Sequence, residues 1–186
     1  MIKADVQLDA KGLACPMPIV KTKKAMNDVA EGQVLEIQAT DKGSVADLAA
    51  WSKTVGHQYI GSQEDNGVFY HYIRKCNQEA SEVAEKTFAY TATNEEAIVS
   101  GATILDVREA AEYAFGHIPG AVSIPMGELA QRMNELQQDE AIYVICRTGT
   151  RSDMAAQQLA EAGFTNIKNV LPGMVGYEGE LAKEVN

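Results

Sequence analysis

Cys146 stands in the stretch Ile145-Cys146-Arg147-Thr148-Gly149-Thr150-Arg151-Ser152, after a run that reads as a buried strand and before one that reads as a helix. That position is the carboxyl edge of a sheet, where open α/β folds place their ligands. A short loop with a central glycine can curl until successive backbone N–H groups converge on one point, and a helix N-terminus behind it adds its dipole. Gly149 supplies the turn, Arg147 and Arg151 supply positive charge, and Thr148, Thr150 and Ser152 complete the cradle. A thiolate at Cys146 is stabilised in such a place, so its pKa should fall, and a terminal persulfide anion would be held equally well. The plainer reading is a cysteine packed at a strand end as a small hydrophobe. The two arginines and the glycine turn outweigh it.

A second cysteine lies in Gly12-Leu13-Ala14-Cys15-Pro16-Met17-Pro18. Pro16 suits the first position of a helix, where its missing N–H costs nothing, and Pro18 stiffens the same turn. The helix dipole, with Lys21, Lys23 and Lys24 behind it, favours a thiolate at Cys15. A capped helix with an incidental cysteine and a solvated lysine face fits the spacing equally well, and the bare residues leave both readings open.

Cys76 reads as an ordinary linker thiol, because no helix start or basic cluster activates it. Three widely spaced cysteines do not make a disulfide framework. No CxxC pair occurs, and His57, His71 and His117 lack zinc-ligand spacing from any cysteine, so neither a metal nor another cofactor is expected.

Both cysteines need elements to present them. Val6 and Leu8 give a short alternating strand that ends at the turn-like Asp9-Ala10-Lys11-Gly12. Ile19, Thr22, Met26 and Val29 recur at helical spacing up to Gly32. Residues 34–37 are strand-like. Ser44-Val45-Ala46-Asp47 resembles a capping box opening a helix with Leu48, Trp51 and Val55 on one face, closed by Gly56. Residues 57–62 and 68–73 read as strands around Asn66-Gly67, a hairpin signal. The order is β-α-β-α-β-β, a two-layer α+β sandwich over residues 1–75. Residues 76–87 turn polar and acidic and read as a linker, rich enough in helix formers to be semi-rigid. Residues 88–186 read as α/β. Residues 103–107 and 141–145 are the continuous apolar runs of a mostly parallel sheet, residues 154–162 are a helix ending at Gly163, and residues 167–171 are a further strand. The chain is thus α/β overall, in two domains.

The net charge of −10 is unevenly placed. Residues 1–75 hold nine Lys and Arg against nine Asp and Glu; residues 76–186 hold seven against seventeen and carry the whole imbalance. A surface without a basic stripe is a poor match for nucleic acid. The start of the chain lacks the long apolar stretch of a signal peptide, and no segment reaches membrane-span length, so the expected place of work is the cytoplasm.

Residues 88–186 resemble a single-domain rhodanese in Asp106-Val107-Arg108-Glu109, in Gly116-His117-Ile118-Pro119-Gly120-Ala121 and in the Cys146 to Ser152 loop. The resemblance implies sulfane sulfur transfer, with Cys146 as the persulfide-bearing nucleophile. Phosphatase relatives carry a loop one residue longer, so the six residues from Cys146 to Arg151 speak against phosphate or arsenate chemistry. Where the family often ends in Gly-Gly and Trp, this chain has Gly173-Met174-Val175-Gly176-Tyr177, which implies a differently shaped mouth. Asp106 and Arg108 are read as a supporting ion pair, and His117 as a turn residue. Residues 1–75 resemble the TusA-like sulfur carriers in Leu8-Asp9-Ala10-Lys11-Gly12-Leu13, in Cys15-Pro16-Met17-Pro18 and in element order. That resemblance resolves the open choice at Cys15 and implies that it carries a persulfide.

The expectation is therefore a sulfurtransferase. Cys146 takes sulfur from thiosulfate or a low-molecular-weight persulfide, and Cys15 relays it to a protein or thiol acceptor. A flexible linker of this length reaches roughly 20 Å and sets a near-millimolar effective concentration. A rigid one would require a homo-oligomer or a separate partner. The rival expectation is a trafficking module without turnover that docks other sulfur-transfer proteins; free turnover with thiosulfate separates the two.

Overall fold

The computed structural model describes residues 2–76 and 88–185. The chain divides into two compact units, Met1–Val83 and Ala84–Glu184. Each is described by itself. Of the expected linker, residues 76–87, only Cys76 lies among the described residues.

The first unit runs β1 (Val6–Ala10), α1 (Met17–Ala25), β2 (Val34–Ala39), α2 (Ser44–Thr54), β3 (Gln58–Asp65) and β4 (Val68–Arg74). The sheet order is β1-β2-β4-β3, with β1 and β2 parallel and the other pairs antiparallel. Leu35, Ile37 and Ile73 meet Leu48, Met26 and Val29 in one core, with Leu8, Ile19 and Trp51 packed against it. Three local expectations change. Strand β1 continues through Asp9 and Ala10 because its parallel ladder with β2 extends to Ala39. Helix α1 stops at Ala25, where the Asn27 and Asp28 amides turn back to the Lys24 and Ala25 carbonyls, yet Met26 and Val29 stay buried. No capping box opens α2. The Ser44 hydroxyl donates to the Asp41 carbonyl and meets His71 Nε2 at 2.9 Å, so the hydroxyl serves the core instead of the helix end.

The second unit runs β5 (Thr91–Thr93), α3 (Asn94–Val99), β6 (Thr103–Asp106), α4 (Ala110–Phe115), β7 (Val122–Ser123), α5 (Leu129–Arg132), β8 (Ile142–Ile145), α6 (Thr150–Glu161) and β9 (Ile167–Leu171). Its five strands lie in the order β5-β9-β8-β6-β7 and every pair is parallel. Two apolar cores explain the unbroken hydrophobic runs. Ile142 and Val144 of β8 face one core with Ala155, Ala156 and Leu159 of α6, while Tyr143 and Ile145 face the other with Ala97 and Ile118. Helix α6 starts at Thr150, four residues before the expected Met154, so Thr150, Arg151 and Ser152 form its first turn.

Candidate functional site

Cys146 follows β8, the central strand, and is 1% exposed. Between it and α6 the chain turns within three residues. Gly149 makes this turn at φ +101°, and a Cβ there would fall 2.3 Å from Leu171, so conformation and space both demand glycine. The result aims the Gly149 N–H at the Cys146 sulfur, 3.1 Å away. The loop is held from behind: the Met174 amide donates to the Cys146 carbonyl at 2.9 Å and the Val175 amide to the Arg147 carbonyl at 3.1 Å. With those carbonyls engaged on the far side, the sulfur faces the Gly149 amide hydrogen and the start of a twelve-residue helix.

Arg151 contributes less free charge than its position suggests. Its guanidinium grips Glu112 with both nitrogens, at 2.7 and 2.9 Å, and Glu109 stands 4.0 Å away. Glu112 is buried and closes a reciprocal capping box with Glu109 at the start of α4. One backbone amide, that of Gly149, donates to the sulfur, and an amide hydrogen bond to an anion contributes about 1.5–3 kcal/mol. Arg147 and Thr148 are exposed at the loop mouth.

Asp106 and Arg108 form a buried pair at the end of the neighbouring strand β6, 2.6 Å apart, and Arg108 also donates to the Gly116 carbonyl at 2.8 Å. His117 stacks on Tyr113 at 3.6 Å between ring centroids, and its backbone bridges to Ala182. Both arrangements brace the loops of the second unit. Ser152 is buried, its hydroxyl 3.3 Å from the Cys146 sulfur and 2.6 Å from Asn169 Oδ1. Asn169, Glu112 and Glu109 are further residues of this site to which the sequence motifs assign no role. An amide inside the strand Ile167–Leu171 and the Glu109/Glu112 capping spacing were the signals available.

Cys15 is exposed, just before α1. Pro16 occupies the position preceding the first helical residue, Pro18 lies buried in the first turn, and the Thr22 hydroxyl donates to the Pro18 carbonyl at 2.8 Å. Because β1 and β2 are parallel neighbours, the loops leaving them open on the same sheet edge, and the Gly12 amide ties them together by donating to Thr40 Oγ1 at 2.9 Å. This brings Asp41 and Asp47 beside Cys15. A hydrogen bond with the Asp47 carboxylate, then desolvation and the charges of Asp47 and Asp41, push the Cys15 thiol above its ordinary range. The expected thiolate stabilisation is thus reversed. Lys23 and Lys24 sit in the last turn of α1, roughly 10 Å along the axis, and the carboxylates are nearer. Cys76 is half-buried, and its sulfur has a basic neighbour, an Arg74 guanidinium nitrogen 3.6 Å away.

Among the described residues no helix is long and apolar enough to cross a membrane. Residues 6–75 match the family described as sulfurtransferase TusA, and residues 87–180 the family described as rhodanese-like domain. A Bacillus subtilis protein, YrkF, provisionally named a sulfur carrier, is 48% identical over 97% of this chain and 99% of its own length. The sulfur carrier protein TusA of Allochromatium vinosum is 45% identical over 40% of this chain and 99% of its own. A rhodanese-like domain protein of known structure from Staphylococcus aureus is 32% identical, covering 50% of this chain and 97% of that one, at a TM-score of 0.47.

Proposed function

The chain belongs to the rhodanese-like family and carries a TusA sulfurtransferase domain ahead of it, and from that premise we propose that it moves sulfane sulfur from Cys146 to Cys15. The Cys146 thiolate attacks the outer sulfur of thiosulfate or of a low-molecular-weight persulfide. The S–S bond of the donor breaks, sulfite or a thiolate departs with the electron pair, and Cys146 is left as a persulfide anion. The Cys15 thiolate then attacks the outer sulfur, Cys146 leaves as thiolate, and Cys15 carries the persulfide to a protein or thiol acceptor in the cytoplasm.

The observation that carries this reading is the Gly149 amide aimed at the Cys146 sulfur from the start of α6. Such a cradle fits an anion that grows outward from Cys146 by one sulfur atom. Thr148, Thr150 and Arg147 line the same loop, and Arg151 and Ser152 hold its helical end. Cys15 has the complementary character of a carrier: it is exposed, and its carboxylate neighbours disfavour the thiolate, so the attack on the Cys146 persulfide proceeds through a minor thiolate fraction.

Non-reducing peptide mass spectrometry after thiosulfate treatment tests this in the parent, in Cys146→Ser and in Cys15→Ser. One added sulfur on both cysteines in the parent, lost from Cys15 in Cys146→Ser, is the expected result. Loading of Cys15 without Cys146 would show two independent carriers and overturn the relay. Single loading without turnover in a continuous sulfite-release assay would favour the trafficking module.

A further inference from the structure

Ser152 places one hydroxyl proton among three acceptors. Asn169 Oδ1 is nearest at 2.6 Å, the Gly149 carbonyl lies at 3.0 Å and the Cys146 sulfur at 3.3 Å. All of these groups are buried, so water does not arbitrate between them. The orientation of Asn169 follows from its other contacts. Its Nδ2 faces the Gly149 carbonyl at 3.2 Å and Asp153 Oδ1 at 3.4 Å, both acceptors, which leaves Oδ1 toward Ser152. At these distances the Ser152 proton goes to Asn169. The serine oxygen then turns its lone pairs toward the sulfur.

Lone pairs suit a neutral thiol, which can donate to them. They repel a sulfur anion. We propose that Asn169 is a positioning residue for Cys146: it holds the Ser152 proton while the sulfur is a thiol and yields it when the sulfur becomes an anion. The hydroxyl rotates about its C–O bond, no covalent bond breaks, and the Ser152 O–H donates to sulfur in place of Asn169. Asn169 thereby sets how readily the site accepts negative charge, on the thiolate and on the persulfide that follows. The second of these roles rests on the sulfur-transfer reading above; the first does not.

The test is the rate of Cys146 alkylation by iodoacetamide against pH, read on the Cys146 peptide in the full chain. The parent, Asn169→Leu, Ser152→Ala and the double variant are compared. The charged groups around the sulfur stay the same in all four: Arg147 and Arg151 on the loop and α6, Glu109 and Glu112 at the start of α4, Asp106 and Arg108 at the end of β6, and Asp153 on α6. Asn169→Leu removes the 2.6 Å acceptor and leaves the neutral Gly149 carbonyl at 3.0 Å and the sulfur at 3.3 Å; an anionic sulfur makes the stronger, charge-assisted bond and takes the hydroxyl, so the profile moves to lower pH and alkylation at pH 7 speeds up on the order of tenfold. Ser152→Ala loses the donor and is slower than the parent. The double variant matches Ser152→Ala when Asn169 acts on the sulfur through the hydroxyl; a difference between the two traces instead to the lost Nδ2 contact with the Gly149 carbonyl, 3.2 Å, and overturns the proposal. An equal acceleration by Asn169→Leu in the Ser152→Ala background overturns the proposal. So does Ser152→Ala alkylating as fast as the parent, a result that stands even if Asn169→Leu does not fold. The probe is not a sulfur donor, so failure of thiosulfate loading and failure of this proposal are read separately.

Discussion

Arg151 and Glu112 meet through two nitrogen–oxygen contacts of 2.7 and 2.9 Å, joining the first turn of α6 to the first turn of α4. The pair is nearly desolvated, with the Glu112 side chain 2% and the Arg151 side chain 15% exposed. Removing one partner therefore strands a buried charge. Glu112→Ala is expected to destabilise the second unit by about 3 kcal/mol, and Glu112→Gln, which keeps an acceptor for Arg151 and for the Glu109 amide, by roughly half as much. Urea unfolding followed by far-UV circular dichroism measures both. A loss below about 1 kcal/mol for Glu112→Ala would place the pair with surface ion pairs and remove its bracing role.

At Cys15 the sign of the electrostatics is set by Asp47, the first cause of its raised thiol range. Asp47→Asn removes the charge and keeps a polar group of the same size. The pH profile of Cys15 alkylation should then move to lower pH, with faster reaction near neutrality. Peptide mass spectrometry after timed iodoacetamide exposure separates Cys15 from the other cysteines. An unmoved profile would mean that Asp47 does not act on the sulfur.

Much of this was readable beforehand, for physical reasons that particular residues make plain. The hairpin at Asn66-Gly67 was visible because both residues sit at positive φ, 51° and 78°, which few residue types tolerate. The apolar run at residues 142–145 was visible because a strand covered on both faces has no polar side to show. Cys146 announced itself through the glycine and arginines beside it in sequence. What stayed hidden is what arrives from elsewhere in the chain. Asp47 stands 32 positions from Cys15, Asn169 stands 23 from Cys146, and Glu112 stands 39 from Arg151. Their effects depend on strand order, and strand order is not a local property.

His71 is fully buried between Ser44 Oγ and Tyr59 OH, each 2.9 Å from a ring nitrogen. Burial lowers its pKa from 6.5 to about 4, so the folded ring stays neutral where the unfolded one takes up a proton. The unfolded state thus binds more protons below pH 6.5, and stability falls as pH drops from 6.5 toward 4. The full effect is about 3 kcal/mol, with about 2 kcal/mol of it lost by pH 5. His57, lowered mainly by desolvation, acts in the same direction. Urea unfolding read by the single tryptophan, Trp51 on α2 of this unit, gives the slope. His71→Leu should be less stable at pH 7 and flatter between pH 7 and 5. An equal slope in parent and variant would exclude His71 as its source.

Gly173 supports the Cys146 loop from behind, and no other residue type fits there. Its φ is +81°, and a Cβ would come within 2.6 Å of the Cys146 carbonyl oxygen and 2.9 Å of the Arg147 carbonyl oxygen. Both carbonyls are backbone and already bonded to the Met174 and Val175 amides, so neither can move aside without loosening the loop. Gly173→Ala should therefore shift the Cys146 and Arg147 carbonyls by several tenths of an ångström and turn the Gly149 amide away from the sulfur. Misplacement on that scale commonly costs one to two orders of magnitude in rate. Sulfur uptake at Cys146 should fall by about tenfold or more, while Cys15 in the separate first unit should react with iodoacetamide as in the parent. Mass spectrometry reads both cysteines in one digest. If uptake at Cys146 is unchanged in a folded Gly173→Ala protein, the loop does not depend on this support, and the cradle must be held by the Gly149 turn alone.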